Sequence, residues 1–200
     1  MKAIFCKSYG PPENLVLEEV EDLKPGEGEA LVEVYAAALN FPDTLQIAGE
    51  YQYQPPFPFI PGSEAGGIIM ELGPNAKGFD TGDRVMANPG IGAMAEQVCV
   101  PFGRLRKIPD SMSFKTASGF PMVYTTSYYA LKQRAELQPG ETLLVLGASG
   151  GVGVAAVELG KLMGADVIAA ASSERKLDFA KKAGADYLVN YSDGDLKTKI

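Results

Sequence analysis

The residues with the most chemical potential lie at 141–153, ETLLVLGASGGVG. An apolar run, 143–146, stops at Gly147-Ala148-Ser149-Gly150-Gly151-Val152-Gly153, and an Ala/Val-rich segment with apolar residues at helical spacing follows. That pattern predicts a strand, a tight loop and a helix. A glycine loop opening a helix leaves backbone N–H groups unpaired. The helix dipole adds about half a positive charge there, so the place suits a phosphate. Glycine serves because some positions need φ > 0 and because a side chain would hold a pyrophosphate off the backbone. Gly150, Gly151, Val152 and Gly153 are the expected contacts. The alternative is an ordinary α/β turn with no ligand.

The same loop also fits G-x-S-x-G at 147–151, the serine-hydrolase nucleophile elbow, in the matching strand–turn–helix setting. A serine nucleophile needs a base, normally histidine. The sequence contains no histidine. Ser149 therefore has no activator in this sequence, and hydrolysis ranks below dinucleotide binding.

The elements that must position the loop extend beyond it. Residues 166–171 (DVIAAA) read as a second strand, 174–182 as a second helix and 186–190 as a third strand. Their spacing fits a β-α-β-α-β half of a dinucleotide fold, although the loop has one residue more than a strict G-x-G-x-x-G. NAD sites place a carboxylate at the end of the second strand for the ribose hydroxyls. Here the chain reads Ala171-Ser172-Ser173, with Lys176 just beyond. A 2′-phosphate carries about −1.5 to −2 charge, and a carboxylate within ~4 Å would repel it by on the order of 4 kcal/mol per unit charge before solvent screening. Omitting the acid and supplying a lysine points to NADPH. Two readings stand beside this one: Lys176 as a solvated helix-face charge, and Glu174 as a ribose ligand that weakens the preference.

The preceding residues have a different texture. Strand candidates occur at 2–7, 15–20, 29–39, 67–72, 84–87, 94–100 and 105–108, separated by Gly/Pro turns. Such a series predicts a small β-barrel or sandwich. Residues 40–44 read as a polar and aromatic break where the third strand stops at proline. The stretch 49–62 is rich in aromatics and proline, with Pro55, Pro58 and Pro61 at PxxP spacing. It suits either stacking on a flat ligand or a proline-rich surface loop. After Pro109 the apolar residues of 114–134 fall at helical spacing, so the β part gives way to the α/β part between 110 and 120.

Composition narrows the classes. With 200 residues, 46% hydrophobic and 22% charged, there is material for one large core or two small ones. The net charge of −7 opposes nucleic-acid binding. The long uncharged run 142–157 is glycine-rich and too short for a bilayer span, and the first residues do not form a signal peptide. Cys6 and Cys99 lie in strand candidates and read as reduced, packed thiols of a cytoplasmic protein. Two cysteines without histidine are too few ligands for zinc, so no metal is expected.

A β domain followed by a glycine-loop α/β domain resembles the medium-chain dehydrogenase/reductase superfamily, over essentially the whole chain. The carriers are GEGEALVEVYAAALNFPD (26–43), PFPFIPGSEAGG (56–67), FDTGDRV (79–85) and GASGGVG (147–153). Together they resemble the zinc-independent quinone oxidoreductases of the zeta-crystallin type. Zinc members of the superfamily place His before Glu after the proline loop, where this chain reads Gly62-Ser63-Glu64. The resemblance implies a GroES-like barrel at 1–115 and an NADP-binding Rossmann domain at 116–200. It implies hydride transfer from NADPH to a quinone or other conjugated carbonyl without metal. A catalytically silent, crystallin-like dinucleotide-binding protein is the second reading. A six-stranded dinucleotide fold is expected in the family, so the chain reads as the N-terminal part of a longer reductase. A homodimer is the family expectation.

Residue by residue, the resemblance implies Ser172, Lys176 and Tyr191 for the 2′-phosphate, and Asn40 and Thr126 for the nicotinamide side. Asp43 and Tyr51 match positions that line the acceptor pocket, and Leu45 stands where the family has a further tyrosine. Glu64 is expected either to order the cleft or to pair with a neighbour. No side chain is a convincing obligatory acid; solvent or the Tyr51 phenol would protonate the reduced acceptor.

Overall fold

A computed structural model of the chain describes residues 1–192, 194 and 196–199. They divide into two units, Met1–Pro121 and Met122–Ile200.

The first unit is built on β3 (Glu29–Ala37), the longest strand. It pairs antiparallel with β4 (Ala65–Leu72) on one side and β6 (Gln97–Pro101) on the other. β5 (Arg84–Ala87) and β7 (Leu105–Lys107) extend the sheet, giving the order β6-β3-β4-β5-β7. Register shifts at Leu31/Val32 and Val34/Ala36 mark irregular pairing along β3, the kind that bends a sheet. Alternating side chains from each strand, among them Ala30, Val32, Ile69, Val85, Val98 and Val100, meet in one buried cluster. The first two strands, β1 (Lys2–Phe5) and β2 (Val16–Glu19), form a separate ribbon. Isolated bridges Ala3↔Ala95 and Cys6↔Phe59 tie that ribbon to the unit.

The structure adds detail to two sequence readings. The third strand does stop before residues 40–44, and that break opens a helix, α1 (Phe41–Ala48). Its first turn accepts proline because the missing N–H would have had no helical partner. Asn40 is the extended N-cap residue and Gly49 closes the helix in the left-handed region at φ 78. Residues 114–134, whose apolar residues fall at helical spacing, are helical in more than one piece. α2 (Phe114–Ser118) stops before Gly119, and α3 (Pro121–Tyr128) starts afresh at proline, because the residue before a proline is held out of helical geometry. A wider π-type turn, Tyr129–Arg134, continues α3.

The second unit is a parallel sheet in the order β10-β9-β8: β8 (Thr142–Leu146), β9 (Asp166–Ala171) and β10 (Tyr187–Asn190). Helix α4 (Gly151–Leu162) joins β8 to β9, and α5 (Glu174–Lys182) joins β9 to β10. Val145, Val157, Val167, Ala169 and Ala180 form its core. A last helix, α6, covers Leu196–Lys199. The expected helical start at 195–200 includes Asp195 and Ile200, which lie outside the described residues. No described helix is long and apolar enough to cross a membrane.

Candidate functional site

In the second unit the predicted loop joins β8 to α4. Gly147 takes φ 62, which only glycine adopts readily, and a Cβ there would meet nothing within 4 Å. The loop closes through Gly150 N–H to Gly147 O at 3.0 Å, and Val154 N–H reaches back to Gly150 O at 2.8 Å. Among the described residues, the N–H groups of Gly151, Val152 and Gly153 have no backbone acceptor. They are the orphan donors that every helix start leaves. Gly153 is needed for packing as well as for access, since a Cβ would lie 2.4 Å from Gly147 O. At Gly150 the nearest atom would be 3.5 Å away, an ordinary contact, so that glycine is not required by the loop's own packing.

Helix α3 braces the loop from behind. Ser127, almost fully buried, donates its hydroxyl to Val152 O at 2.8 Å. A Cβ on Gly151 would meet Val123 Cγ1 at 2.9 Å. Tyr124 donates to Glu158 of α4, and that bond, with burial, pushes the phenol up to about 12. Thr126 is exposed on the same helix, beside Ser127. These braces have no local sequence signal. They join residues more than twenty positions apart, and each donor alone reads as an ordinary helix residue.

At the end of β9, Lys176 Nζ donates to Ser172 Oγ at 2.9 Å. Glu174, the first residue of α5, accepts from Asn190 Nδ2 at 2.7 Å. A cavity of about 360 Å³ is lined by Leu146, Tyr191, Gly194 and Leu196, at the carboxyl ends of β8 and β10. Ligands of open α/β sheets bind at those ends. The glycine loop follows β8, Ser172 follows β9 and Tyr191 follows β10, so the three leave the same edge of the parallel sheet, with Lys176 paired to Ser172 and Thr126 on the helix that braces the loop. Unpaired donors, an open Gly147 and a lysine–serine pair fit a dinucleotide carrying an extra phosphate.

Ser149 is poorly placed to be a nucleophile. It is not among the described residues with positive φ, whereas a nucleophile elbow is a sharp, strained turn.

The first unit holds the other predicted residues. Asn40 caps α1 in a capping box with Asp43: the Asn40 side chain faces the Asp43 backbone N–H, and the Asn40 backbone N–H donates to Asp43 Oδ2 at 2.7 Å. The other end of the Asn40 amide, Nδ2, donates to Glu64 Oε1 at 2.8 Å. Glu64 is fully buried and Asp43 nearly so. Burial raises the Asp43 carboxyl above its usual range, partly offset by the Asn40 N–H. Asn40, Asp43 and Glu64 form one polar knot, while Tyr51 is half-buried and Leu45 lies on α1. Glu64 is the member whose role the sequence left open. Ser63, just before it, is buried, and its Oγ has no hydrogen-bond partner.

Both thiols are free; Cys6 is buried, and burial pushes Cys99 up to about 11. Such thiols are poor nucleophiles. Among the described residues no group of three or more His, Cys, Asp or Glu is placed to hold a metal.

An antiparallel β unit followed by a parallel glycine-loop unit defines the class of GroES-like, Rossmann-type dehydrogenases. Residues 26–110 match the alcohol dehydrogenase GroES-like domain, and residues 151–200 match the zinc-binding dehydrogenase family. Quinone oxidoreductase-like protein 2 of Bos taurus is 38% identical over 200 residues, covering 100% of this chain and 57% of its own length. Quinone oxidoreductase of Pseudomonas syringae pv. Tomato DC3000 superposes with a TM-score of 0.94 at 34% identity, covering 100% of this chain and 61% of that one. Escherichia coli quinone oxidoreductase complexed with NADPH gives 0.94 at 32% identity, with the same two coverages, 100% and 61%. The chain belongs to the quinone oxidoreductase type of the medium-chain dehydrogenase/reductase superfamily. It spans less than two thirds of the length of these relatives.

Proposed function

We propose that this protein is an NADPH-dependent reductase that transfers hydride to a quinone or other conjugated carbonyl, without a metal. The observation that carries the reading is the braced loop at 147–153, with three unpaired N–H groups at the start of a twelve-residue helix. It is supported by a relative whose structure is described as complexed with NADPH.

NADPH, when bound, supplies the hydride. The work of the chain is to bind and orient. Gly150, Gly151, Val152 and Gly153 hold the pyrophosphate through main-chain donors and the helix dipole. Ser172, Lys176 and Tyr191 take the 2′-phosphate, with Lys176 as a point charge that a hydroxyl already steers. Thr126 and Asn40 hold the nicotinamide side. The bond from Asn40 Nδ2 to Glu64 Oε1 fixes the orientation of the Asn40 amide. Asp43 and Tyr51 line the acceptor pocket, and solvent or the Tyr51 phenol supplies the proton for the reduced carbonyl.

The reading assigns residues 1–115 to the catalytic GroES-like domain and 116–200 to NADP binding. It carries with it a cytoplasmic location, a homodimer and a small-molecule acceptor, with neither nucleic acid nor membrane as partner. Following NADPH absorbance with 1,4-benzoquinone tests it. Oxidation that depends on the protein and withstands chelators supports it. Binding of NADPH without turnover would favour a silent dinucleotide-binding protein. Failure of either nicotinamide nucleotide to bind would remove the reading.

A further inference from the structure

Glu174 lies near the proposed 2′-phosphate site and carries the wrong charge for it. It opens α5, two positions from Lys176 and two from Ser172. A carboxylate so placed is what an NAD site uses for ribose hydroxyls, and it would repel a phosphate. Yet Glu174 Oε1 is held at 2.7 Å by Asn190 Nδ2, at the end of β10.

That hold has a built-in direction. Asn190 Oδ1 accepts from Ser192 N–H at 3.0 Å and from Ser192 Oγ at 2.7 Å. Two donors on the oxygen end fix which way the amide points. Its NH₂ end is thereby offered to Glu174, and a carboxylate is the acceptor it suits. Lys176, meanwhile, donates to the Ser172 hydroxyl and pairs with none of the described acids. Two neighbouring residues of one helix turn are thus drawn to different partners, the acid to β10 and the base to the end of β9.

We infer that Asn190, oriented by Ser192, sets nucleotide specificity by holding the Glu174 carboxylate away from the ribose 2′ position. It is a positioning residue acting through Glu174. The inference rests on the NADPH reading above and identifies how that preference is kept despite an acid in the first turn of α5.

The test measures dissociation constants of the full chain for NADPH and NADH by titration calorimetry. Wild type is expected to prefer NADPH. Asn190→Ala frees Glu174, so NADPH binding weakens and NADH binding tightens, shifting the ratio by about fivefold or more at low salt. Adding Glu174→Gln to Asn190→Ala brings the ratio back to within about twofold of wild type, since the freed group no longer carries charge. Asn190→Ser keeps a polar partner for Ser192 but is too short to reach Glu174; it repeats the shift if the alanine variant folds poorly. Equal weakening of both nucleotides with no rescue would mean that Asn190 only shapes the loop, and would overturn the inference. A wild type without NADPH preference, whose ratio Lys176→Ala does not change, would overturn the cofactor reading itself.

Discussion

Asn40 and Glu64 are joined by a part-buried hydrogen bond, Nδ2 to Oε1, at 2.8 Å. One residue caps α1 and the other immediately precedes β4, so the bond ties the helix start to the central sheet. Because the Asn40 N–H is also taken by Asp43, the residue is held at both its backbone and its side chain.

Removing Glu64 should therefore cost stability and orientation together. Glu64→Ala leaves an unpaired amide and a cavity at a fully buried position, and is expected to lower unfolding free energy by about 2–4 kcal/mol. Glu64→Gln keeps the volume, but its amide can pair with either end of Asn40. It should retain most stability while reducing kcat more than it raises KM for the acceptor. Denaturant unfolding and steady-state kinetics on both variants check this; equal kinetics in Glu64→Gln would show that the Asn40 orientation is unimportant.

Gly150 and Gly153 separate access from packing. Gly153→Ala would press a Cβ against Gly147 O, so the loop must shift, with a loss of about 2 kcal/mol or more in stability and weaker nucleotide binding. Gly150 has φ −76, and a Cβ there makes only ordinary contact. Gly150→Ala should leave the melting temperature within a few degrees, yet lower nucleotide affinity at least about tenfold if the backbone there must approach a pyrophosphate. Unchanged affinity in Gly150→Ala would count against the pyrophosphate cradle.

Ser127→Ala removes the bond to Val152 O from a nearly fully buried site. Val152 O keeps its place in the helix ladder of α4, so the loss is that of one hydrogen bond, about 0.5–1.5 kcal/mol. Hydrogen exchange should show faster opening at the start of α4 than in wild type. If only α3 loosens, the brace does not act on the loop.

Asp43 supplies the pH test. Its folded carboxyl is raised above the unfolded value of 3.8, chiefly by burial. The sign follows: its favourable contribution is complete below the unfolded value and is lost as pH rises through the raised one. At neutral pH the buried charge is a burden. Asp43→Asn, whose side-chain oxygen can still accept the Asn40 N–H, should be more stable than wild type at pH 7, and the advantage should shrink as pH falls through the raised folded value and be gone below the unfolded 3.8. Unfolding curves from pH 3 to 8 measure it. An advantage independent of pH would put the cause elsewhere.

The glycine loop and the alternation of β8, α4, β9, α5 and β10 were legible because each is a local pattern: an apolar run, a turn, a helical period. Helix α1 was not, although its signals lay in the sequence: Asn40, Pro42 and Asp43 at a helix start and Gly49 at its end. Pro42 reads as a stop for the strand before it, yet in the first turn of α1 proline is equally a helix start. The helical spacing of 114–134 was legible too, while the break inside it comes from Pro121, which holds the preceding residue out of helical geometry. Ser127–Val152, Asn40–Glu64 and Asn190–Glu174 could not be read, since each joins segments that only the folded chain brings side by side.

The two sheets differ in how far apart along the chain their partners lie. Glu29 faces Pro101 across β3 and β6, whereas Leu144 faces Ile168 after a single helix. Closing the longer loop carries the greater entropic penalty, and such pairings slow folding. In refolding from denaturant, the glycine-loop unit should thus recover protection first, and the antiparallel sheet should set the slow phase.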